Sequence, residues 1–298
     1  MIDSGCCDKG SRTNSTSAGE MGMKVSIVVP SKGCTYLRYL LRGLKSQSYP
    51  SFEVILVLKD CDLRAVESLC QGYSLNCVVI EQREGYFTHA LNLGKREAKG
   101  DITIFTDDDV IPLQKWIERY IKLHTLYKHV AGVCSRDIYV DLEGVRLLPI
   151  LDDRPEVKLY RFFIRSWLEQ PLPLLRKYRL GVYITKRLNI AHGYGIPNKT
   201  CYSLPLRGAN MSFKTSYIYD VLFPEHKLLK RAPGNEQYFA IQLILKGFDT
   251  IYIPNNPVLH IARRESLSRT MHREELKREF EIMKSLYREL LQKYGVRV

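Results

Sequence analysis

From Lys24 onward, short apolar runs alternate with stretches whose apolar residues recur at helical spacing. The runs predict strands at 25–29, 53–58, 77–80 and 102–105, and the stretches after them predict helices at 35–46, 63–71, 87–99 and 113–127. Segments such as Ser26-Ile27-Val28-Val29 and Val54-Ile55-Leu56-Val57 are almost continuously apolar, a pattern that suits strands covered on both faces. Four strand-and-helix units in a row predict an α/β fold with a mainly parallel, doubly wound sheet and helices on both faces. Ligands of such sheets bind at the carboxyl ends of the strands.

The pattern changes after residue 140. Pro149, Pro155, Pro171, Pro173, Pro197 and Pro205 punctuate aromatic and basic residues in a stretch that fits no regular βα repeat, so 141–206 is read as an insert. Regular signals return with a strand at 207–213, a helix at 235–246 stopped by Gly247 and a strand at 250–253 stopped by Pro254. Leu276, Phe280, Met283, Tyr287, Leu290 and Tyr294 then follow a 4-3-4-3-4 spacing, the stripe of an amphipathic helix. That stripe is expected to pack on the core, although a second copy or a membrane would use the same face. Residues 1–22, rich in Ser, Gly, Thr and Asn and without periodicity, read as a disordered leader. The expected segments are thus the leader, one half of the sheet at 23–140, the insert, the other half at 207–262, and a basic segment with its helix at 263–298.

Charge narrows the partners. Lys and Arg exceed Asp and Glu by 13, and between Arg154 and Lys199 ten basic residues stand against two acidic ones. Such an excess fits phosphorylated small molecules, an anionic lipid surface or nucleic acid. In the insert, Tyr160, Phe162, Phe163, Trp167 and Leu168 interleave with Arg161 and Arg165. This mixture suits a membrane interface as well as surface helices with one buried side. No signature of DNA or RNA recognition accompanies the charge, so no nucleic acid is expected as partner. The eight cysteines show neither C-x-x-C spacing nor histidines at zinc-ligand intervals, and are read as reduced, mostly buried thiols. With no signal-peptide pattern and no bilayer-length apolar run, the expected place is the cytoplasm, free or peripheral on the inner face of the cell membrane.

The sharpest chemical feature follows the predicted strand at 102–105: Thr106-Asp107-Asp108-Asp109. Adjacent carboxylates repel, and a divalent cation relieves that repulsion. Mg2+ or Mn2+ combines one or two protein carboxylates with phosphate oxygens of a substrate. Period-two alternation puts Asp107 and Asp109 on one side and turns Asp108 away.

The order of residues around this triplet resembles the family-2 glycosyltransferases, from about Lys24 to His260. Val25-Ser26-Ile27-Val28-Val29-Pro30-Ser31 is similar to the family's opening strand, Leu44, Gln47, Tyr49 and Pro50 to the end of its first helix, and Glu53-Val54-Ile55-Leu56-Val57 to its second strand. Gly85, Ala90, Asn92, Gly94, Ala98 and Gly100 match its spaced small residues, and Asp107-Asp108-Asp109 stands where the family has D-x-D. Downstream, Gly208-Ala209-Asn210-Met211-Ser212-Phe213 resembles its acceptor-side strand, and Asn235-Glu236 occupies the place of its acidic catalytic pair.

The resemblance implies a GT-A fold and an inverting, metal-dependent transfer of a sugar from a nucleotide diphosphate. It implies Asp107, Asp109 and His260 as metal ligands and Glu236 as the base. Pro30, Ser31, Lys59, Asp60, Gly85, Asn92, Asp107 and Arg263 are then expected around the donor, and Gly208, Ala209, Asn210 and Asn235 around the acceptor. One departure concerns the base of the nucleotide. The family's second strand usually ends in acids, whereas here it reads Leu58-Lys59-Asp60-Cys61-Asp62. UDP-sugar is the first expectation for the donor and GDP-sugar the second; the acceptor is expected to be a sugar or a polyprenyl-phosphate-linked molecule. Two other readings use the same residues: a sugar-phosphate nucleotidyltransferase, for which Pro30-Ser31-Lys32-Gly33 is a poor phosphate loop, and a basic nucleic-acid-binding module.

Overall fold

The computed structural model describes residues 22–143, 145–149, 154–161, 163, 168–193, 195–263 and 272–296. The leader expected at 1–22 lies outside these residues except for its last position, as do Phe162, Arg165 and Trp167 of the aromatic and basic stretch.

The predicted units all form. β1 (Val25–Lys32), β2 (Phe52–Lys59), β3 (Cys77–Glu81) and β4 (Ile102–Phe105) alternate with α1 (Leu37–Lys45), α2 (Leu63–Gly72), α3 (Phe87–Glu97) and, after the short β5 (Val110–Pro112), α4 (Trp116–Leu126). The chain continues through β6 (Val130–Cys134), β7 (Asp137–Asp141), β8 (Arg146–Leu147), α5 (Pro155–Tyr160), β9 (Val182–Ile184), β10 (Ile190–His192), β11 (Cys201–Tyr202) and β12 (Met211–Lys214). It ends with α6 (Asn235–Leu245), β13 (Asp249–Tyr252), β14 (Val258–Ile261) and α7 (Arg273–Lys293).

The main sheet has the order β11-β13-β6-β12-β4-β1-β2-β3. β1 pairs in parallel with β2 and β4, and β2 with β3. β12 enters antiparallel between β4 and β6, so the sheet is mixed rather than uniformly wound. A smaller sheet, β5-β14-β7-β8, forms beside the exit of β4.

Alternation along β1 sends Val25, Ile27 and Val29 to one face, against Leu40 and Leu44 of α1 and Trp116 of α4, and Val28 to the other. The second face holds Phe105, Phe213, Phe223 and Phe239, whose rings meet edge-on or stacked. Both faces are covered, as the apolar runs require. Gly94 of α3 sits directly on β1, where an added Cβ would meet Val28 Cγ1 at 2.4 Å.

Two expectations are corrected. The strand predicted at 207–213 begins only at Met211, because Asn210 is used for bonds between elements. The expectation of reduced thiols fails for Cys34 and Cys61, which form a disulfide between the loops after β1 and β2 with a Cα–Cα distance of 5.8 Å. Spacing could not show this pair, since it is made by the parallel register of the two strands. The C-terminal stripe packs by Met283, Tyr287, Leu290 and Leu291, while Phe280 and Tyr294 stay partly outside. Among the described residues, no helix is long and apolar enough to cross a membrane.

Candidate active site

Thr106 follows β4 and donates its hydroxyl to the Ala209 carbonyl at 2.8 Å, which holds the turn that delivers the three acids. Asp107, Asp109 and His260 then bring one ligand atom each to within 4.8 Å of one another. His260 comes from β14, which pairs with β5 immediately after the acids and with β7 on its other side. Its Nδ1 lies 2.9 Å from Asp137 Oδ2 and its Nε2 3.2 Å from Asp109 Oδ1. Tyr139 stacks on the imidazole at 4.7 Å, and Arg207 donates to the Tyr139 hydroxyl at 2.6 Å while lying 3.5 Å from Asp137. A carboxylate on Nδ1 fixes a histidine ring and leaves Nε2 for a cation.

Asp108 turns away from the pair, as alternation requires, but it is buried. It accepts from the Ser31 hydroxyl at the end of β1 and from Arg263. The same guanidinium reaches Asp109 Oδ2 with Nε at 2.5 Å and lies 4.9 Å over the Tyr36 ring. Arg263 thus neutralises both Asp108 and Asp109.

Burial pushes the Asp107 carboxyl up to about 7, and the charge of Asp109 adds to the push. Burial opposes charge on His260 as well, but Asp109 and Asp137 outweigh it and raise the imidazole to about 10. Burial would raise Asp109 and Asp137 too; hydrogen bonds to His260, with the charges of Arg263 and Arg207 respectively, hold both below the ordinary carboxylate range. Two carboxylates and an imidazole suit a hard divalent ion that keeps open positions for phosphate oxygens. Asp109 Oδ1 is buried against His260 Nε2 at 3.2 Å, a contact that such an ion would replace.

Among the residues expected around the donor, Lys59 donates to the Gly85 carbonyl at 2.8 Å and lies 5.8 Å over the Tyr86 ring. Asp60 has a left-handed φ of +55° and lies 3.6 Å from Lys32. With Leu58, Gln82 and Arg83 these two line a cavity of about 360 Å³ at the ends of β2 and β3. Pro30 lies buried within β1, opposite Val57. Asn92 does not belong to this group. It donates to the Phe223 carbonyl and to Glu225 and accepts from the Phe223 N–H, so it ties α3 to the 223–225 loop.

Of the residues expected around the acceptor, Asn210 is engaged within the fold. Its Oδ1 accepts from Trp116 and Tyr120, and its Nδ2 donates to the Arg136 and Asn256 carbonyls, which uses its whole hydrogen-bonding capacity. Asn235 turns inward and donates to the Ala232 carbonyl. Ala209 is buried, whereas Gly208 has open space where a side chain would stand.

Glu236 opens α6 after Gly234, whose φ is +83°. It shares with His192, Leu206, Phe280, Met283 and Tyr287 the wall of a cavity of about 340 Å³. Burial raises its carboxyl; backbone N–H groups, Gln237, Arg207 and Arg231 draw it part of the way back. Arg207 therefore acts on both Glu236 and the Asp137–His260 pair, which joins the two parts of the site.

A family model described as glycosyl transferase family 2 matches residues 26–180, just over half of the chain. The chain belongs to glycosyl transferase family 2. The crystal structure of the S. aureus TarS 1–349 fragment superposes with a TM-score of 0.53 at 18% identity, over 80% of this chain and 60% of that one. The same fragment in complex with UDP-GlcNAc gives 0.54 at 16%, over 91% and 71%. The mannosyltransferase PcManGT from Pyrobaculum calidifontis, in complex with GDP-Man and Mn2+, gives 0.54 at 14%, over 92% and 72%. This family 2 chain spans 43% of the longer TarS structure. No curated protein sequence matches it. At these identities the solved structures establish a GT-A-like fold.

The family match ends before Arg207, Glu236 and His260, so any role for these three rests on geometry. Sequence reasoning missed Asp137, Tyr139 and Arg207. Asp137 was reachable in principle as a second acid in a strand, but nothing local announced that β7 would lie beside β14.

Proposed function

We propose that the chain transfers a sugar from a nucleotide-diphosphate donor to an acceptor hydroxyl with inversion, assisted by a divalent cation. The observation that carries this reading is the convergence of Asp107, Asp109 and His260 at the rim of the sheet. Arg207 links that cluster to a partly buried Glu236 of raised pKa.

The nucleotide would lie in the cavity at the ends of β2 and β3, with Lys59 and Asp60 near its base or ribose, and UDP remains the first choice before GDP. TarS with UDP-GlcNAc and PcManGT with GDP-Man and Mn2+ show that both donor types occur on this fold. Bound by Asp107, Asp109 and His260, Mn2+ or Mg2+ would supply charge to the leaving diphosphate. Arg263 is placed to add a second positive charge once it leaves the carboxylates.

Glu236 takes the proton of the acceptor hydroxyl as its oxygen bonds to the anomeric carbon and the bond from that carbon to the diphosphate oxygen breaks. One displacement inverts the anomeric centre. The raised pKa keeps the carboxylate basic enough for this task. The acceptor would enter through the cavity that Glu236 lines, past Gly208, as a sugar or a polyprenyl-phosphate-linked molecule.

A thermal-shift panel of UDP, GDP and CDP with and without Mn2+ tests the donor site. Selective stabilisation that needs the metal is expected, and no response to any nucleotide would remove the reading. Glu236→Gln should keep that response and lower transfer by about 10²- to 10⁴-fold, whereas Asp109→Ala should lose both. Pyrophosphate release from a nucleoside triphosphate and sugar phosphate would instead establish nucleotidyl transfer.

A further inference from the structure

We propose that Glu279 and Tyr287 of α7 are positioning residues that fix the Glu236 carboxylate for proton transfer; the inference rests on the reading of Glu236 as the base. The turn that launches α6 holds Ala232 at φ +50°, a left-handed conformation that a non-glycine residue seldom keeps. Gly234 follows at φ +83°, which glycine adopts freely, and a Cβ there would meet Ile190 Cδ1 at 2.2 Å. The Ala232 conformation persists only where its surroundings over-determine it.

α7 supplies those surroundings. Glu279 is 2% exposed, and its carboxylate accepts from the backbone N–H groups of Lys230 at 3.0 Å, Arg231 at 3.2 Å and Ala232 at 2.8 Å. Two turns further along, Tyr287 donates its hydroxyl to the Gly234 carbonyl at 2.9 Å and sets its ring edge against Tyr238 of α6. The four backbone groups held in this way span 230–234, and Glu236 follows two residues later.

Docking α7 does not require these polar groups. Met283, Leu290 and Leu291 already bury its apolar stripe, and a carboxylate placed between a helix and its neighbour is unfavourable unless donors surround it. What the acid and the phenol add is the shape of the turn. The face that carries them also brings Phe280, Met283 and Lys284 to the cavity beside Glu236, so α7 sets the base against the space where an acceptor would sit.

The test compares Glu279→Gln and Tyr287→Phe, which keep side-chain volume, with the unaltered chain. The readout is Mn2+-dependent release of nucleotide from UDP-GlcNAc or GDP-mannose, whichever the unaltered chain consumes. We expect kcat to fall about 10- to 100-fold, with KM for the donor within about twofold and the Mn2+-dependent thermal shift by UDP or GDP retained. In a Glu236→Gln background the same substitutions should leave the residual rate unchanged. Full kcat in both variants while Glu236→Gln is inactive would overturn the positioning role and spare the base. Equal losses in both backgrounds would also overturn it, as a general effect on the fold. An unchanged rate in Glu236→Gln alone would overturn the base reading and this inference with it. If Glu279→Gln does not fold, Tyr287→Phe, which removes one hydroxyl and keeps the ring, decides the matter.

Discussion

At the scale of single residues, the site is a contest between burial and charge, and its protons report the outcome. Without a cation, Asp107 titrates near 7 and His260 near 10, so at neutral pH the cluster holds protons that metal ligation must expel. The metal-free form binds more protons than the loaded form, hence raising pH favours loading. Apparent Mn2+ affinity is expected to tighten steadily from pH 6 to 8.5, with proton release visible when the titration is repeated in buffers of different ionisation enthalpy. An affinity flat across that range would exclude His260 and Asp107 as ligands. Asp137→Asn removes the charge that orients His260 Nδ1 and should weaken Mn2+ binding by about 10- to 100-fold, measured by the same titration, without altering the sheet. Asp107 and Asp109 were legible in the sequence because acids crowded after an apolar strand call for a cation, whereas His260 came only from the family resemblance, since a single histidine after a strand is more often structural. Asn92 and Asn210 were misread because a polar residue at a family-like position looks the same whether it meets a ligand or, as here, ties α3 to a loop and α4 to β12.

At the scale of elements, the first four βα units were readable because each strand is covered on both faces and so is apolar throughout. β5, β7, β8 and β14 were not readable, since strands of two to five residues carry too little pattern of their own and borrow their definition from neighbours distant in sequence. The disulfide belongs to the same class. Cys34 and Cys61 are 27 residues apart and meet only because β1 and β2 run parallel in register. It joins the loop after Lys32 to the loop after Asp60, beside the cavity assigned to the nucleotide. A closed loop of this length stabilises the fold by about 3–4 kcal/mol, or roughly 5–6 °C in Tm for a chain of this size. Calorimetry with and without a reductant should show that loss, and Cys34→Ser should show it without reductant and lose the response to it. An unchanged Tm in both would mean the tie constrains nothing that unfolds.

At the scale of the whole molecule, the net charge of +13 is distributed unevenly, and the site does not account for it. The acids of the cluster are already matched by Arg263, His260 and Arg207. More than half of the surplus lies between Arg154 and Lys199, where Leu159, Tyr160, Phe163 and Leu168 are exposed among basic side chains. An exposed mixture of rings and long cationic stems fits the headgroup layer of an anionic bilayer, with the rings entering and the stems reaching back to phosphate. Each basic residue at such a surface contributes about 1 kcal/mol, so four or five acting together would hold the protein on a membrane without a spanning helix. The attraction is screened over about 10 Å at 0.1 M salt and about 3 Å at 1 M. Sedimentation with vesicles of phosphatidylglycerol and phosphatidylcholine should therefore carry the protein down at low salt and release it at 0.5 M, with no pelleting on phosphatidylcholine alone. Replacing Tyr160 and Phe163 by Ser should weaken pelleting at every salt concentration, whereas charge reversal at Arg154 and Lys158 should weaken it chiefly at low salt. If pelleting ignores both pairs, the insert is not the contact and the surplus charge serves some other face.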